Sequence, residues 1–331
     1  MLRVAVIGAG HLGRHHARIY AAHDGAQLVG VADTDPAKRE IADQYGVPFF
    51  SDYYDLIGKV DAVSLAVPTI DHCVIGCELM RNGIHVLVEK PISRSLEEAD
   101  QLLSAANENN VTLAVGHVER HNPALQAVFK ILTQPLFFEM HRLGVFTMRS
   151  LDIDVVMDLM IHDLDILLAL TGSEVSAVSA VGIAILSKKI DIANARVEFV
   201  NGAVANITAS RISSEKVRKL RFFQPYDYIS VDYASQWAGA WSLKPPSPTS
   251  GAKPEIGARY LEVVQREPLE AEISDFLRAV ETRTSPLVDG AQGRKALELA
   301  TEILKKIEEH SLKAGVPTTW SVMPDLSKFG M

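Results

Sequence analysis

The residues that most restrict the fold of this chain are the glycines at positions 8, 10 and 13, which follow the short apolar run Leu2–Ile7. A G-x-G-x-x-G turn between a strand and a helix presents backbone amides and a helix N-terminus to a pyrophosphate. A second apolar run ends at Asp33, 20 residues beyond Gly13, where such folds place the carboxylate that binds a ribose 2'-hydroxyl. This register predicts a dinucleotide site on a parallel sheet, in preference to a glycine turn with an unrelated surface aspartate.

The first third of the chain alternates short β-branched runs with helical patterns, which is typical of a parallel sheet covered by helices on both faces. We predict strands over 2–7, 27–32, 48–51, 61–66, 84–88 and 111–116, with helices opening near residue 10, after Pro36, around 71–81 and over 95–109. These elements predict a doubly wound, six-stranded domain over residues 1–120.

The pattern changes after Asn122-Pro123. We predict a helix to about Thr133, a strand near 136–143, a helix over 154–171, and then strands over 175–186, 192–200, 203–210, 217–224 and 227–233. A loop at 244–251 precedes two further helices, near 269–281 and 290–311. Strands that follow one another without intervening helices form mostly antiparallel sheets. The second domain, residues 121–331, is therefore expected to be α/β with a large, mostly antiparallel open sheet.

The composition excludes several classes of protein. The 331 residues suffice for about two domains, and 47% apolar with 22% charged residues argue against a disordered or disulfide-dependent chain. With 33 basic against 41 acidic residues, no overall positive field favours nucleic acid. No run of about 18 apolar residues predicts a membrane span, and the N-terminus lacks a secretory signal, so we expect a cytoplasmic protein. Cys73 and Cys77 match neither a redox pair nor a zinc site, and no metal site is expected.

Lys90 is the informative residue at the carboxyl edge of the predicted parallel sheet. Ala66 and Pro68 follow the fourth strand, and Glu89 and Lys90 end the fifth, at the edge where ligands bind in such sheets. An ammonium group there could donate to a substrate hydroxyl and stabilise the alkoxide that develops as hydride leaves. A solvated lysine at a strand end is the competing interpretation.

The predicted helix of the second domain carries Asp158, His162 and Asp165 on one face. Histidine is the natural proton acceptor for alcohol oxidation near neutral pH, and a neighbouring carboxylate can orient its charged form. An exposed charged pair is disfavoured because apolar residues surround these positions on nearly all sides. A metal site is disfavoured because no third ligand is apparent, although folding could bring one in.

The glycine turn, Glu89-Lys90-Pro91, the segment 116–123 and Asp158-x-x-x-His162 together resemble the Gfo/Idh/MocA oxidoreductases over essentially the whole chain. The resemblance implies a Rossmann domain, a second α/β domain with a large open sheet, a nicotinamide cofactor and sugar or cyclitol substrates. It also implies a homodimer or homotetramer built by apposing those sheets. By the same resemblance Lys90 orients the substrate, His162 is the acid/base, Asp158 binds substrate, and the Lys90-Pro91 bond is cis.

The cofactor is expected to be NAD, with NADP less favoured, because Asp33 would repel a 2'-phosphate; Lys38 and Arg39 lie close enough in sequence to weaken that preference. His117 and Arg120 follow the sixth strand and are expected to reach the nicotinamide or the substrate. The residues expected to bind the cofactor are Gly8, Gly10, His11, Leu12, Gly13, Asp33, Ala66, Pro68, Glu89 and Lys90.

One departure from the family pattern weighs against a simple free-sugar substrate. Many relatives have paired glycines before the catalytic aspartate, whereas here the sequence reads DIDVVM over 152–157. The segments 155–165 and 116–123 are similar to the branch of UDP-N-acetylglucosamine 3-dehydrogenases, which implies oxidation at a C3 hydroxyl. A nucleotide sugar carries a diphosphate, so we expect Arg149 and Arg211 to bind it, against the alternative of solvated surface arginines.

Three other functions stay open at this point. They are an inositol or free-sugar dehydrogenase, a non-catalytic cofactor-binding regulator of the same fold, and an enzyme that reduces an imine or a tetrapyrrole. The presence of Lys90, Asp158 and His162 together weighs against the regulator, because a sensor needs no complete proton-transfer set.

Overall fold

The computed structural model describes residues 1–147, 153–244 and 255–315. The chain divides into two compact units, of which the first comprises residues 1–121 and 266–297 and the second the remainder. The first boundary lies one residue from the predicted one. The return of residues 266–297 to the first unit differs from the prediction, which gave everything after residue 120 to the second domain.

The first unit contains a six-stranded, wholly parallel sheet in the order β3-β2-β1-β4-β5-β6. Its strands are β1 Leu2–Ile7, β2 Ala26–Ala32, β3 Phe49–Phe50, β4 Ala62–Leu65, β5 His85–Glu89 and β6 Leu113–Gly116. Its helices are α1 Gly13–Ala22, α2 Arg39–Gln44, α3 Thr69–Arg81 and α4 Leu96–Glu108, with short 3-10 turns over 36–38, 53–56 and 118–121. The doubly wound prediction is confirmed, and the strand order reverses between β1 and β4, where such sheets bind ligands.

The helix α7 Pro268–Thr282 explains why the chain returns to the first unit. Its buried residues Ile273, Phe276, Leu277 and Val280 recur at helical spacing. They pack into one apolar cluster with residues of β1, β2 and α1, including Tyr20. The sequence order alone does not reveal which of two cores an amphipathic helix joins.

The second unit contains an eight-stranded sheet in the order β14-β13-β12-β11-β7-β10-β9-β8. Its strands are β7 Phe137–Leu143, β8 Val175–Ile183, β9 Ile192–Phe199, β10 Val204–Ser210, β11 Val217–Gln224, β12 Asp227–Asp232, β13 Trp237–Lys244 and β14 Glu255–Tyr260. Only the pair of β7 with β10 is parallel among these neighbours, which confirms the mostly antiparallel prediction. The sequence did not predict β13 and β14, because their alanine and glycine residues weaken the strand signal.

Helices cover one face of this sheet. They are α5 Pro123–Phe129, a π-helical turn over Val156–Met160 that continues into α6 Ile161–Thr171, and the later part of α8 Gly290–Ala314. The covered face contributes buried Phe138, Met140 and Ile207, and α6 contributes Leu164 and Leu167. Within the described part of the chain, no helix combines the length and apolarity needed to cross a membrane.

Candidate active site

The glycine turn is tightly packed at Gly13 and open at Gly10. A Cβ on Gly13 would lie 1.8 Å from the carbonyl oxygen of Gly8, so the helix can start this close to the strand only at a glycine. A Cβ on Gly10 would meet no atom within 4 Å. The turn therefore leaves room above Gly10 for a pyrophosphate to approach the backbone and the start of α1, which fits a bound dinucleotide.

Asp33 lies beside this turn, at the end of β2. One carboxylate oxygen accepts a hydrogen bond from the Ala9 amide at 2.7 Å and the other from the Asp35 amide at 2.8 Å. Lys38 lies 3.8 Å from Asp35, and the Arg39 guanidinium lies 4.9 Å from the centre of the Phe49 ring. The backbone amides hold the carboxylate beside the glycine turn, and both nearby cations have other neighbours.

The loops after β4 and β5 meet at the carboxyl edge of the same sheet. His72, which sequence analysis did not single out, lies between them with Nδ1 3.0 Å from the Pro91 carbonyl oxygen and Nε2 3.0 Å from that of Val67. Burial lowers the pKa of His72. The sequence gives no signal for these contacts, because His72 follows Asp71 in a helix of mixed polar and apolar residues. The Lys90-Pro91 peptide bond between these loops is cis, as expected.

His117 and Arg120 are buried where β6 ends, with 1% and 4% of their surfaces exposed. Burial lowers the pKa of His117 to about 3, and the positive charges of Lys90 and Arg120 contribute in the same direction. Arg120 donates to the carbonyl oxygen of Leu287 at 3.4 Å. The first unit thus brings Lys90, His117 and Arg120 together, with the imidazole uncharged near neutral pH.

Asp158 and His162 lie in the second unit. Asp158 lies in the π-helical turn and His162 in the first turn of α6, and both are partly exposed, whereas Asp165 is buried. The Asp154 carboxylate accepts from the amides of Val156 at 3.0 Å and Met157 at 2.9 Å, and so caps this turn. Sequence analysis predicted one regular helix here; the π turn changes the spacing along it, and such turns are frequent at functional sites.

An ion pair holds α6 against the sheet. The Arg142 guanidinium of β7 donates to both oxygens of Asp163 at 2.8 and 3.0 Å, and both side chains are nearly inaccessible. The geometry is bidentate, which fixes orientation as well as distance. Neither residue was predicted, because charged residues in an apolar pattern do not reveal their partners.

Arg211, a predicted phosphate ligand, is 6% exposed. It donates to the Ile153 carbonyl oxygen at 2.5 Å and lies 3.8 Å from the Asp191 carboxylate. Asp191 itself accepts from the amides of Ile185, Leu186 and Ser187 at 2.7 to 2.8 Å. These contacts support the backbone just ahead of the π turn, and binding of substrate by Arg211 stays a prediction. Arg149 lies outside the described residues.

Comparisons with known proteins show which proteins this chain is similar to. Residues 2–117 match the Gfo/Idh/MocA oxidoreductase family with its NAD-binding Rossmann fold, and residues 139–223 match the Gfo/Idh/MocA C-terminal domain. A UDP-N-acetylglucosamine 3-dehydrogenase of Acidithiobacillus ferrooxidans is 40% identical over 93% of this chain and 97% of its own length.

Two further similar proteins differ in how closely they match this chain. A solved structure of UDP-N-acetylglucosamine 3-dehydrogenase from Acidithiobacillus ferrooxidans matches with a TM-score of 0.88 and 39% identity, over 93% of this chain and 98% of that one. The inositol 2-dehydrogenase of Rhizobium meliloti is 27% identical over 93% of this chain and 97% of its own length.

Proposed function

The chain belongs to the Gfo/Idh/MocA family of oxidoreductases, and from that premise we propose that it oxidises the C3 hydroxyl of UDP-N-acetylglucosamine or a close analogue with NAD. The observation that carries the proposal is the 40% identity, over nearly the full length of both chains, to a UDP-N-acetylglucosamine 3-dehydrogenase. The inositol 2-dehydrogenase matches the same share of the chain with only 27% identity. A cytoplasmic location belongs to the same proposal.

The residues that would hold NAD belong to the first unit. The turn at 8–13 would take the pyrophosphate on its amides, and Asp33 would accept from the ribose hydroxyls. When bound, the nicotinamide ring supplies the acceptor for a hydride. Ala66, Pro68 and Glu89 would border it, since Ala66 and Pro68 follow β4 and Glu89 ends β5 at the same edge of the sheet.

Three side chains would transfer the proton, stabilise the developing charge and bind the sugar. His162 would accept the proton of the C3 hydroxyl as the C–H bond breaks and the carbonyl forms. Lys90 would donate to the reacting oxygen and stabilise its developing negative charge. Asp158 would hold a sugar hydroxyl. The uncharged state of His117 supports this division, because a second cation beside Lys90 would disfavour its ammonium form.

Two substitutions test these roles. Lys90→Met and His162→Asn should each lower kcat by about 100- to 10,000-fold, the usual range for lost acid/base assistance, while NADH still binds. Lys313→Met and His310→Asn alter exposed residues of α8 and serve as matched controls. An unchanged kcat in a folded Lys90 or His162 variant removes that residue from the mechanism.

The substrate is tested by initial rates of NADH formation with UDP-N-acetylglucosamine, free N-acetylglucosamine and myo-inositol. We expect kcat/KM to be highest for the nucleotide sugar. Turnover of myo-inositol alone would favour the second candidate, an inositol dehydrogenase. NADH binding with no turnover of any sugar would favour a cofactor-binding regulator.

A further inference from the structure

Four buried polar side chains form a continuous chain of hydrogen bonds inside the first unit. The Tyr20 hydroxyl lies 2.8 Å from Ser64 Oγ, and Ser64 Oγ lies 2.8 Å from His16 Nδ1. His16 Nε2 lies 2.9 Å from Glu89 Oε1. Tyr20, His16 and Ser64 are wholly inaccessible, and Glu89 is 8% exposed. We call these four residues the His16 network.

The hydrogen count of these groups fixes the donor in the bond between His16 and Glu89. A carboxylate only accepts, so His16 Nε2 carries a hydrogen and donates it to Glu89. If His16 is neutral, Nδ1 accepts from Ser64 and Ser64 accepts from Tyr20, so every hydroxyl hydrogen in the network has an acceptor. If His16 is an imidazolium, Nδ1 also donates, and one of the two hydroxyl hydrogens has no acceptor within the network. Burial raises the pKa of Tyr20, which keeps its hydroxyl a donor.

The network joins two parts of the dinucleotide site that are far apart in sequence. His16 lies on α1, the helix that starts at the glycine turn, and Glu89 immediately precedes Lys90. The second oxygen of Glu89 lies 3.3 Å from the Lys90 amide, which donates to it. A Cβ on Gly116 would come within 2.9 Å of that same oxygen. The Glu89 carboxylate is therefore held on one side by His16 and confined on the other by the backbone of β6.

We propose that His16 is a positioning residue for Lys90, acting through the carboxylate of Glu89. Loss of the His16 bond leaves a mostly buried carboxylate with one fewer donor, which is costly at such a site. Glu89 is then able to rotate, and the backbone amide of Lys90 loses its fixed acceptor. This inference rests on the proposed role of Lys90 at the reacting hydroxyl. It adds that a residue of α1, His16, helps to hold Lys90 in place for that role.

Two substitutions, each of which keeps the position of one ring nitrogen, separate a positioning role of His16 from simple packing. In His16→Gln the amide nitrogen can replace Nε2 and donate to Glu89, whereas in His16→Asn the shorter side chain replaces Nδ1 and reaches Ser64 alone. Both variants lose the ring, so both should lose thermal stability. A misplacement of about 1 Å can cost on the order of 100-fold in rate. We expect that scale of loss in kcat for His16→Asn and a kcat within about threefold of wild type for His16→Gln.

A second readout does not depend on the sugar. Acetic anhydride labelling of Lys90, measured by mass spectrometry with and without NADH, reports how the bound cofactor shields the lysine. We expect NADH to protect Lys90 in the wild type and in His16→Gln, and to protect it less in His16→Asn at the same occupancy. His23→Gln, at the other end of α1, is the control and should behave as wild type in both measurements.

The outcomes separate the two proposals. Equal protection of Lys90 in the Gln and Asn variants, together with equal kcat wherever turnover is measurable, would show that His16 only fills space and would overturn the inference. If the wild type turns over no sugar but the labelling difference appears, the positioning role stands and the proposed function fails. Protection lost in both variants alike, at matched NADH occupancy, also counts against the role of Glu89.

Discussion

His117 shows how burial sets the charge of one residue in the candidate site. Burial lowers its pKa to about 3 from an ordinary value of 6.5. Between those two values the unfolded chain binds one more proton than the folded chain at this residue. The free energy of unfolding therefore falls as the pH decreases from 6.5 to about 3. Above pH 6.5 His117 is neutral in both states, and its effect on the free energy of unfolding no longer changes with pH.

Replacing His117 should make the protein less sensitive to acid. One proton taken up on unfolding corresponds to about 1.4 kcal/mol per pH unit. We expect the unfolding free energy of His117→Asn to fall with decreasing pH less steeply than that of the wild type, by about that amount, below pH 6.5. Urea unfolding at a series of pH values measures both slopes. The exposed His310→Asn should keep the wild-type slope, and an unchanged slope in His117→Asn would contradict the pKa assignment.

Asp33 is expected to decide between the two nicotinamide cofactors. Its carboxylate would repel a 2'-phosphate, so kcat/KM should be higher for NAD than for NADP in the wild type. Asp33→Asn should reduce that ratio by weakening NAD and relieving the repulsion of NADP. Steady-state rates with both cofactors measure it. A wild-type preference for NADP would contradict this role and would direct attention to Lys38 and Arg39.

At the scale of elements, the sequence predicted what depends on periodicity and missed what depends on tertiary contacts. The six parallel strands and the carboxyl-edge positions of Asp33 and Lys90 follow from alternation and from turn residues. The π turn at Val156–Met160 has no such signal, because its hydrogen-bond pattern depends on how the segment is held. The contacts of His16 with Glu89 and of His72 with Pro91 were missed for the same reason, since these partners are distant in sequence.

The Arg142–Asp163 pair should be essential to the placement of α6. Removing one member of a buried, bidentate pair leaves a charge without compensation and typically costs about 3 to 5 kcal/mol. We expect Asp163→Asn and Arg142→Met each to lower the unfolding free energy on that scale, measured by urea unfolding. The double variant Arg142→Met with Asp163→Leu should recover much of the loss. Arg196→Met breaks an exposed pair with Glu198 and should change little; equal losses in the exposed and buried pairs would contradict this account.

At the scale of the whole molecule, the face of the eight-stranded sheet opposite its described helices carries a row of aromatic rings. Phe137, Phe223, Tyr228 and Trp241 lie side by side across four neighbouring strands, with centroids 5.8, 5.1 and 5.0 Å apart. Phe223 is 40% exposed and Tyr260, at the sheet edge, is 74% exposed. Contiguous apolar surface of this kind typically marks an interaction site. We therefore retain the prediction of a homodimer or homotetramer that uses this face.

A charge placed in the row should weaken the assembly. Phe223→Asp would place a carboxylate among the rings of a face-to-face interface, so we expect a smaller mass in size-exclusion chromatography with light scattering. Val74→Asp alters an exposed residue of α3 in the first unit and is the control. A wild-type chain that elutes as a monomer, or a Phe223→Asp variant with the wild-type mass, would argue against this interface.

Oxidation at C3 of a nucleotide sugar is tested by following the transferred hydride. UDP-N-acetylglucosamine deuterated at C3 is incubated with the full-length protein and NAD, and the reduced cofactor is analysed by mass spectrometry. We expect deuterated NADH from this sugar, and unlabelled NADH when the deuterium is placed at C4 instead. Absence of NADH with both sugars, or deuterium transferred from C4 and not from C3, would contradict it.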